Sequence, residues 1–431
     1  MPLLPRTLLP VVAVAFAALA VRLRLSLLGL SPVSFVLPEL PSFASDDRLV
    51  GVVVEKLGED DLVYPECLVV SPDGRTMFAS LGDGRIVRIR DPDSNVPTWE
   101  TILRTGSPGD DDDDAMLRCG SGGPTDDHPD YGPREEICGR PLGMWLDGND
   151  VLLIADAYRG LLEVANVYGP GPAVVRVLAT RAASDPPDYS FMLLNSVVRV
   201  PGGDVYLTET STRFRRRRIF HAAMDGAADG RLLRYRDGVV DVVAGVIYMA
   251  NGLAVTHDGK ALLIVSGVRI LRYDLATRAM DPEPFISSMP GTGDNVKAME
   301  VLPNGERARC YWAALGGTYR RPFSLIKFLS NKPMLRSLLL AIIPYRKVVD
   351  LIPKWTALAV YDEEGGLIET LVDDGGAASR EEDGTARGVT APWISEMEPV
   401  GNYLYLASWY NPFLARIDKR DIKFERKSIV T

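Results

Sequence analysis

Short apolar runs closed by Asp-Gly, Gly-Gly or Asn-Gly recur along the chain, and each leads into another apolar run, a short turn and a third run. One copy, CLVVSPDGRTMFASLGDGRIVRIRD, spans Cys67 to Asp91, and a second spans Leu142 to Val164. A third starts at Ser196 and resumes at GRLLRYRDG, a fourth starts at Gly252, a weaker fifth at Met299 and the last at Ile394. Alternation of apolar and polar positions, clearest in VYLTET and LYLAS, has the period of a strand. The turns carry the Gly, Asn and Asp that tight hairpins need, because their backbone takes positive φ. Six such units at roughly fifty-residue intervals predict an all-β, six-bladed β-propeller with three or four strands per blade. The strongly helical exception is Pro333 to Pro353, containing MLRSLLLAIIP, which predicts a helical insert that caps the propeller or forms a membrane-facing or substrate-covering lid.

A polar residue precedes several of these turns by seven positions: Glu66 before Asp73-Gly74, Asn195 before Gly202-Gly203, and Asn251 before Asp258-Gly259. In a propeller the first residue of each innermost strand faces the mouth of the central tunnel, so the slot gathers one side chain per blade. The same count gives Arg140 in the second blade and Trp393 or Ile394 in the sixth. In the fifth, Lys297 fills the strict position before Asn304-Gly305, but a bulged strand would substitute Asp294 and Asn295. Carboxylate and carboxamide oxygens of Glu66, Asn195, Asn251, Asp294 and Asn295 suit Ca²⁺ rather than zinc or copper. The alternative is a hydrogen-bonded plug with Glu66 paired to Arg140, whose cation also opposes a metal. A tunnel Ca²⁺ points to hydrolysis of small esters or lactones, with Glu66 and Arg140 as candidate catalytic residues.

Composition narrows the choice. The chain has 431 residues, 46% apolar and 8% aromatic, which is ordinary for a packed globular protein. A net charge of −9 argues against a nucleic-acid partner. Three scattered histidines, His128, His221 and His257, leave no basis for a His-rich metal site. There is no G-x-S-x-G elbow, P-loop or dinucleotide fingerprint, so the expected partner is a small organic substrate. Cys119 and Cys138 bracket a Gly/Pro/Asp-rich loop and read as a disulfide clip, whereas Cys67 and Cys310 sit in apolar runs and read as buried thiols. Asp110 to Asp114 read as a solvated acidic loop, with Ca²⁺ binding the alternative, and the basic run Arg213 and Arg215–Arg218 as a solvated face, with a phosphate or acidic-lipid contact the alternative. Arg6, the apolar run Leu8–Val21 and Ala18-Leu19-Ala20 make residues 1–45 either a cleaved signal peptide or a signal anchor, with a membrane tether through 8–37 in the second case. The propeller is assigned to 46–431, in the endoplasmic reticulum, the vacuole or the extracellular space.

The phrases ICGRPLGMWLDG, LLIADAYRGLLEV, TETSTRFRRRR, DGRLLRY, ANGLAVTHDG, RRPFSLI and LYLASWYNPFLARID, in this order from about Glu66 to Asp418, resemble the strictosidine synthase-like family. The resemblance implies a six-bladed propeller and a disulfide in the first long insert, in agreement with Cys119 and Cys138. It also implies an alternative activity in alkaloid biosynthesis, the Pictet–Spengler condensation of an amine with an aldehyde, which uses a glutamate at the start of the sixth blade. Here that position is Ile394, in PWISEME, with Glu396 and Glu398 nearby and Glu396 the candidate acid. The wider group is similar to calcium-dependent lactonases and paraoxonases, whose Glu, Asn and Asp tunnel ligands correspond in type to Glu66, Asn195, Asn251 and Asp294 or Asn295. A third reading is a non-catalytic binding propeller.

Overall fold

In the computed structural model, the residues described are 8–39, 41, 48–106, 132–148, 150–318, 325–343, 347, 354–373 and 391–422. Among them, 24 strands form six four-stranded antiparallel sheets, taken up in chain order. The first strands of the blades are β2 (Leu68–Val70), β6 (Pro141–Asp147), β10 (Leu194–Arg199), β14 (Ala250–Val255), β18 (Gly291–Val301) and β22 (Ile394–Val400). Each adjoins the first strand of the next blade, and β22 meets β2, which closes the ring around the axis. The fold is a six-bladed propeller.

Packing between blades holds it. Trp312, Leu358, Met397 and Leu404 interleave between the fifth and sixth blades, and Leu68, Met77, Val87 and Tyr405 between the sixth and the first. Each such side chain contributes about 1.5–3 kcal/mol on leaving water. The ring is locked by a strand the sequence pattern did not reveal. β1 (Glu55–Leu57) pairs antiparallel with β24 (Leu414–Asp418), so the N-terminal part of the chain supplies the outer strand of the last blade. The buried Arg416 guanidinium donates to Glu55 Oε2 at 2.6 Å across this seam.

The inner strands share one irregularity. Register slips between Pro141 and Met144, Leu194 and Val197, Ala250 and Leu253, Gly293 and Val296, and Ile394 and Glu396. Each slip is a bulge that leaves residues of the inner strand without a partner opposite and re-aims their side chains. All five lie near the start of the strand, at the tunnel mouth.

Helices gather around that mouth. They are α1 (Leu8–Leu27), α2 (Gly132–Cys138), α3 (Ile219–Asp225), α4 (Leu325–Ser330) and α5 (Pro333–Ile342), with a 3₁₀ turn at Arg216–Arg218 leading into α3. α5 falls in the expected helical insert. Among the described residues no helix is long and apolar enough to cross a membrane. The stretch after α1 is packed onto the molecule. Ser31 N donates to Asp225 Oδ1 at 2.5 Å, Val33 N to Asp225 O at 2.8 Å, and Phe35 N to Ser330 O at 3.1 Å. Leu30 is buried with Phe214, Ala222 and Leu340.

Candidate functional site

Strand register decides which residue each blade presents. In the third blade Leu194 pairs with Glu209 and Val197 with Leu207, which leaves Asn195-Ser196 in the bulge. The fourth leaves Asn251-Gly252 and the fifth Asp294-Asn295. In the second the bulged pair is Leu142-Gly143, so Leu142 and not Arg140 holds the slot. The equivalence is visible in the packing. A Cβ added to Gly143 would lie 2.6 Å from Ser196 Cα, and one added to Gly252 would lie 2.6 Å from Asn295 Cα. The bulge therefore needs glycine where one blade backs onto the next.

Arg140 nevertheless reaches the site. Its fully buried guanidinium donates through Nη2 to Glu66 Oε2 at 3.0 Å and through Nη1 to Tyr64 O at 3.2 Å. Glu66 is itself buried, and its backbone oxygen accepts from Ser395 Oγ at 2.8 Å and Asn295 Nδ2 at 3.5 Å. Burial raises the Asp294 carboxyl well above the usual carboxylate range, and the neighbouring Glu66 carboxylate adds to this. The Asn251 side chain and the Arg216 guanidinium pull the other way. Two carboxylates thus face each other in a dry place.

The carboxamides are left over. Asn195 is 7% exposed, and among the described residues no group hydrogen-bonds its side chain. Asn251 Oδ1 is buried without a partner. An unpaired buried polar atom costs about 1–3 kcal/mol, so the Asn251 oxygen, left over while its side chain bonds Asp294, leaves a place for a ligand beside the carboxylates. No group of three or more His, Cys, Asp or Glu that could hold a metal occurs among the described residues. A cation here would depend on the carboxamide oxygens as much as on Glu66 and Asp294. A hard divalent ion fits that donor set and would remove the repulsion.

Glu396 belongs to a second cluster farther along the tunnel. Its Oε1 accepts from Leu68 N at 2.6 Å and lies 2.7 Å from Lys297 Nζ, which also contacts Glu398 Oε2 at 2.5 Å and the Leu68 carbonyl. Burial pushes the Glu396 carboxyl up to about 7 against the pull of Lys297. Burial works against the Lys297 ammonium, but the two glutamates hold it charged. This lysine pins the inner strands of blades five, six and one. By the same register the sixth-blade bulge holds Ser395, whose Oγ donates to Glu66 O, so this position carries no acid; Ile394, the residue the count gave, pairs with Ser408 and is fully buried in the inter-blade core.

One residue of the site was passed over in the sequence reading and one escaped it. Lys297 was visible as the occupant of the strict count. Arg216 was not, since a basic run does not reveal which member turns inward. Here Arg216 is buried, with its charge acting on both Asp294 and Glu135, so the run is only partly solvated. The mouth also has an aromatic wall. Trp409 stacks on Trp393 with centroids 5.2 Å apart and meets Phe220 of α3 at 5.7 Å. Gly316 separates it from Asp294: an added Cβ would sit 3.2 Å from Asp294 Oδ2 and 3.6 Å from Trp409 Nε1. Cys138 is disulfide-bonded; Cys119 and Asp110–Asp114 lie outside the described residues. Cys67 and Cys310 are free and buried.

Comparison with known proteins gives the relationship. The model described as Strictosidine synthase matches residues 196–279, and that described as Strictosidine synthase-like, N-terminal matches residues 42–89. The adipocyte plasma membrane-associated protein of Gallus gallus is 29% identical over 430 residues, covering 95% of this chain and 91% of the relative. Strictosidine synthase-like 13 of Arabidopsis thaliana is 29% identical over 324 residues, 73% of each chain. Among solved structures, a gluconolactonase from Xanthomonas campestris aligns with a TM-score of 0.49 at 14% identity, over 90% of this chain and 99% of that one. The chain is thus similar to the strictosidine synthase-like family, matching two of its models and, over most of its length, two of its members.

Proposed function

We propose that the tunnel mouth holds a Ca²⁺ ion and hydrolyses a small ester or lactone, with Glu66, Asn195, Asn251 and Asp294 as the ligand side chains and Asn295 behind them. The observation that carries this reading is the unpartnered, buried Asn251 Oδ1, with the Asn195 side chain also unbonded among the described residues, next to the Asp294 carboxyl that burial and the neighbouring Glu66 carboxylate raise. Bound there, the ion would polarise a carbonyl oxygen and acidify a water. The chain's own groups do the rest. Glu66 is oriented by Arg140, Asp294 would hold a cation as its carboxylate, and Arg216 would face the negative charge that develops on an acyl oxygen. Trp409 and Phe220 wall the side where the organic part of a substrate would lie. The disulfide at Cys138 supports an oxidising compartment of the secretory pathway.

The Glu66–Arg140 ion pair favours a second reading, a non-catalytic propeller with a structural polar plug. The condensation chemistry has less support, since Ile394 offers no proton acceptor and Glu396 is committed to Lys297. Calorimetric titration of chelator-stripped protein with Ca²⁺, alongside turnover of a panel of esters and lactones, separates the first two. Heat on titration with turnover lost in Glu66→Gln is the expected result. Unchanged metal affinity and unchanged turnover in that variant would sink the proposal.

A further inference from the structure

At the tunnel mouth β19 (Arg307–Thr318) and β20 (Thr356–Tyr361) part from each other. They pair only between Tyr311–Ala314 and Leu358–Tyr361. Beyond this both continue as strands, β19 along β18 as far as Thr318 and β20 along β21 (Leu367–Asp373) back to Thr356. A wedge opens between them, beside the bulge that presents Asp294 and Asn295. On its β20 side Thr356 Oγ1 donates to Ala391 O at 2.6 Å and accepts from Ala391 N at 2.9 Å, which takes up that hydroxyl. On its β19 side the backbone is bare. Among the described residues, Leu315–Thr318 hydrogen-bond with β18 alone.

Two of these four residues are glycine, and neither takes the positive φ that would call for one. Glycine inside a strand weakens it and marks a place where something approaches the backbone closely. Gly316 makes room for Asp294 and Trp409, whereas a Cβ on Gly317 would meet nothing within 4 Å. Nothing within the described molecule therefore accounts for Gly317, which lies half-buried at the mouth. Bare backbone, free of side chains, faces open space one residue from the Asp294 carboxyl.

An unpaired strand edge is a template for another extended chain carrying amide groups. This one is about 13 Å long, shorter than the usual strand of five or six residues, and its inner end stops at Asp294 and Trp409. Those limits fit the chain of a small substrate rather than a strand of a partner protein. We propose that Leu315–Thr318 seat the acyl chain of the substrate and that this chain is peptide-like, its amide N–H and C=O groups pairing with the bare edge while its ester carbonyl reaches Asp294. The proposal rests on the hydrolytic reading of the mouth and narrows the substrate to an ester of a short N-capped peptide or a similar amide-bearing acid. Hydrolysis adds water across the acyl C–O bond, leaving the acid on the edge and releasing the alcohol with the proton.

The test compares, on the full chain with Ca²⁺, the methyl ester of N-acetyl-dialanine with its depsipeptide analogue, which has the same shape but an ester oxygen in place of each amide N–H. The dipeptide ester should show a KM about tenfold lower, the loss expected when two hydrogen bonds go. Gly317→Val, whose side chain meets nothing in the free protein, should melt like the wild type and raise KM for the dipeptide ester about tenfold. Binding is read without turnover by hydrogen exchange, which N-acetyl-dialanine N-methylamide should slow at Gly316 and Gly317 and not at the β1 amides. Equal KM values for the two esters, or an unchanged KM in Gly317→Val, would overturn the seat and leave the hydrolytic reading standing. Absence of any ester turnover would sink the hydrolytic reading instead. The exchange measurement then decides the seat, and unprotected Gly316 and Gly317 amides at saturating N-methylamide would overturn it.

Discussion

Replacing Glu396 with Gln should remove most of one proton's worth of pH dependence from folding. Glu396 is fully enclosed in the tunnel, and burial lifts its carboxyl from an ordinary 4.5 to about 7. A raised folded-state value means the folded protein binds the proton more tightly than the unfolded chain. The associated stability is therefore present below pH 4.5 and is lost as pH rises through 7. A shift of this size corresponds to about 3 kcal/mol, at 1.36 kcal/mol per unit. Lys297 stays charged throughout this window, and Asp294, which shifts in the same direction, is common to both proteins and cancels in the difference. The assay is urea unfolding of wild type and Glu396→Gln at pH 4.5, 5.5, 6.5, 7.5 and 8.5 (values bracketing the transition window) in metal-free buffer. The wild type should fall relative to the variant by about 3 kcal/mol across that range. Two parallel curves would show that Glu396 is not strained by burial, and the account of the Lys297 cluster would fail with it.

Lys297→Met should destabilise the fold by about 3–5 kcal/mol, since it strands Glu396 and Glu398 without their cation; an unchanged melting temperature would mean the lysine pins nothing. Ca²⁺ at a hundredfold excess over its dissociation constant should stabilise chelator-stripped protein by about 2.7 kcal/mol. Its affinity should rise with pH as Asp294 gives up its proton, and calorimetry showing pH-independent binding would exclude Asp294 as a ligand. Asn195→Leu and Asn251→Leu should each abolish that Ca²⁺ stabilisation, and Asn251→Leu should also push the Asp294 carboxyl higher because its side chain hydrogen-bonds that group; a variant that keeps the full Ca²⁺ stabilisation would exclude its carboxamide as a ligand. Glu55→Ala should cost about 1 kcal/mol, its exposed half being screened, and hydrogen exchange should quicken at Lys56 and Ala415 before anywhere in the inner strands.

The propeller was legible because its signal is repetition: six apolar–turn–apolar units survive even where one copy is weak. The slot was legible only in part, because an Asp-Gly pair is not always the residue that turns the chain. Counted back from the residue with positive φ, four blades agree on eight positions: Gly74 to Glu66, Asp150 to Leu142, Gly203 to Asn195, and Gly259 to Asn251. In the second blade Gly148 is not the left-handed residue, so counting from Asp147-Gly148 lands on Arg140. The fifth blade fails any count because its longer hairpin adds a further register slip between Met299 and Val301. β1 escaped notice because three residues, Glu-Lys-Leu, on an outer edge need no apolar face, and their pairing partner lies at the opposite end of the chain.

That distant partnership has a consequence for biogenesis. Glu55 and Arg416 are 361 residues apart in sequence, so the ring has no closed form until nearly the whole polypeptide has been made. Five blades can form in turn behind the ribosome, each from local hairpins, while the sixth waits with an open edge and the first strand unpaired. Closing so long a loop is entropically slow, and folding dominated by such contacts is slow as well. The nascent chain should therefore dwell as an unsealed arc, and mutations at the β1–β24 seam should lower yield more than they lower the melting temperature of the molecules that mature.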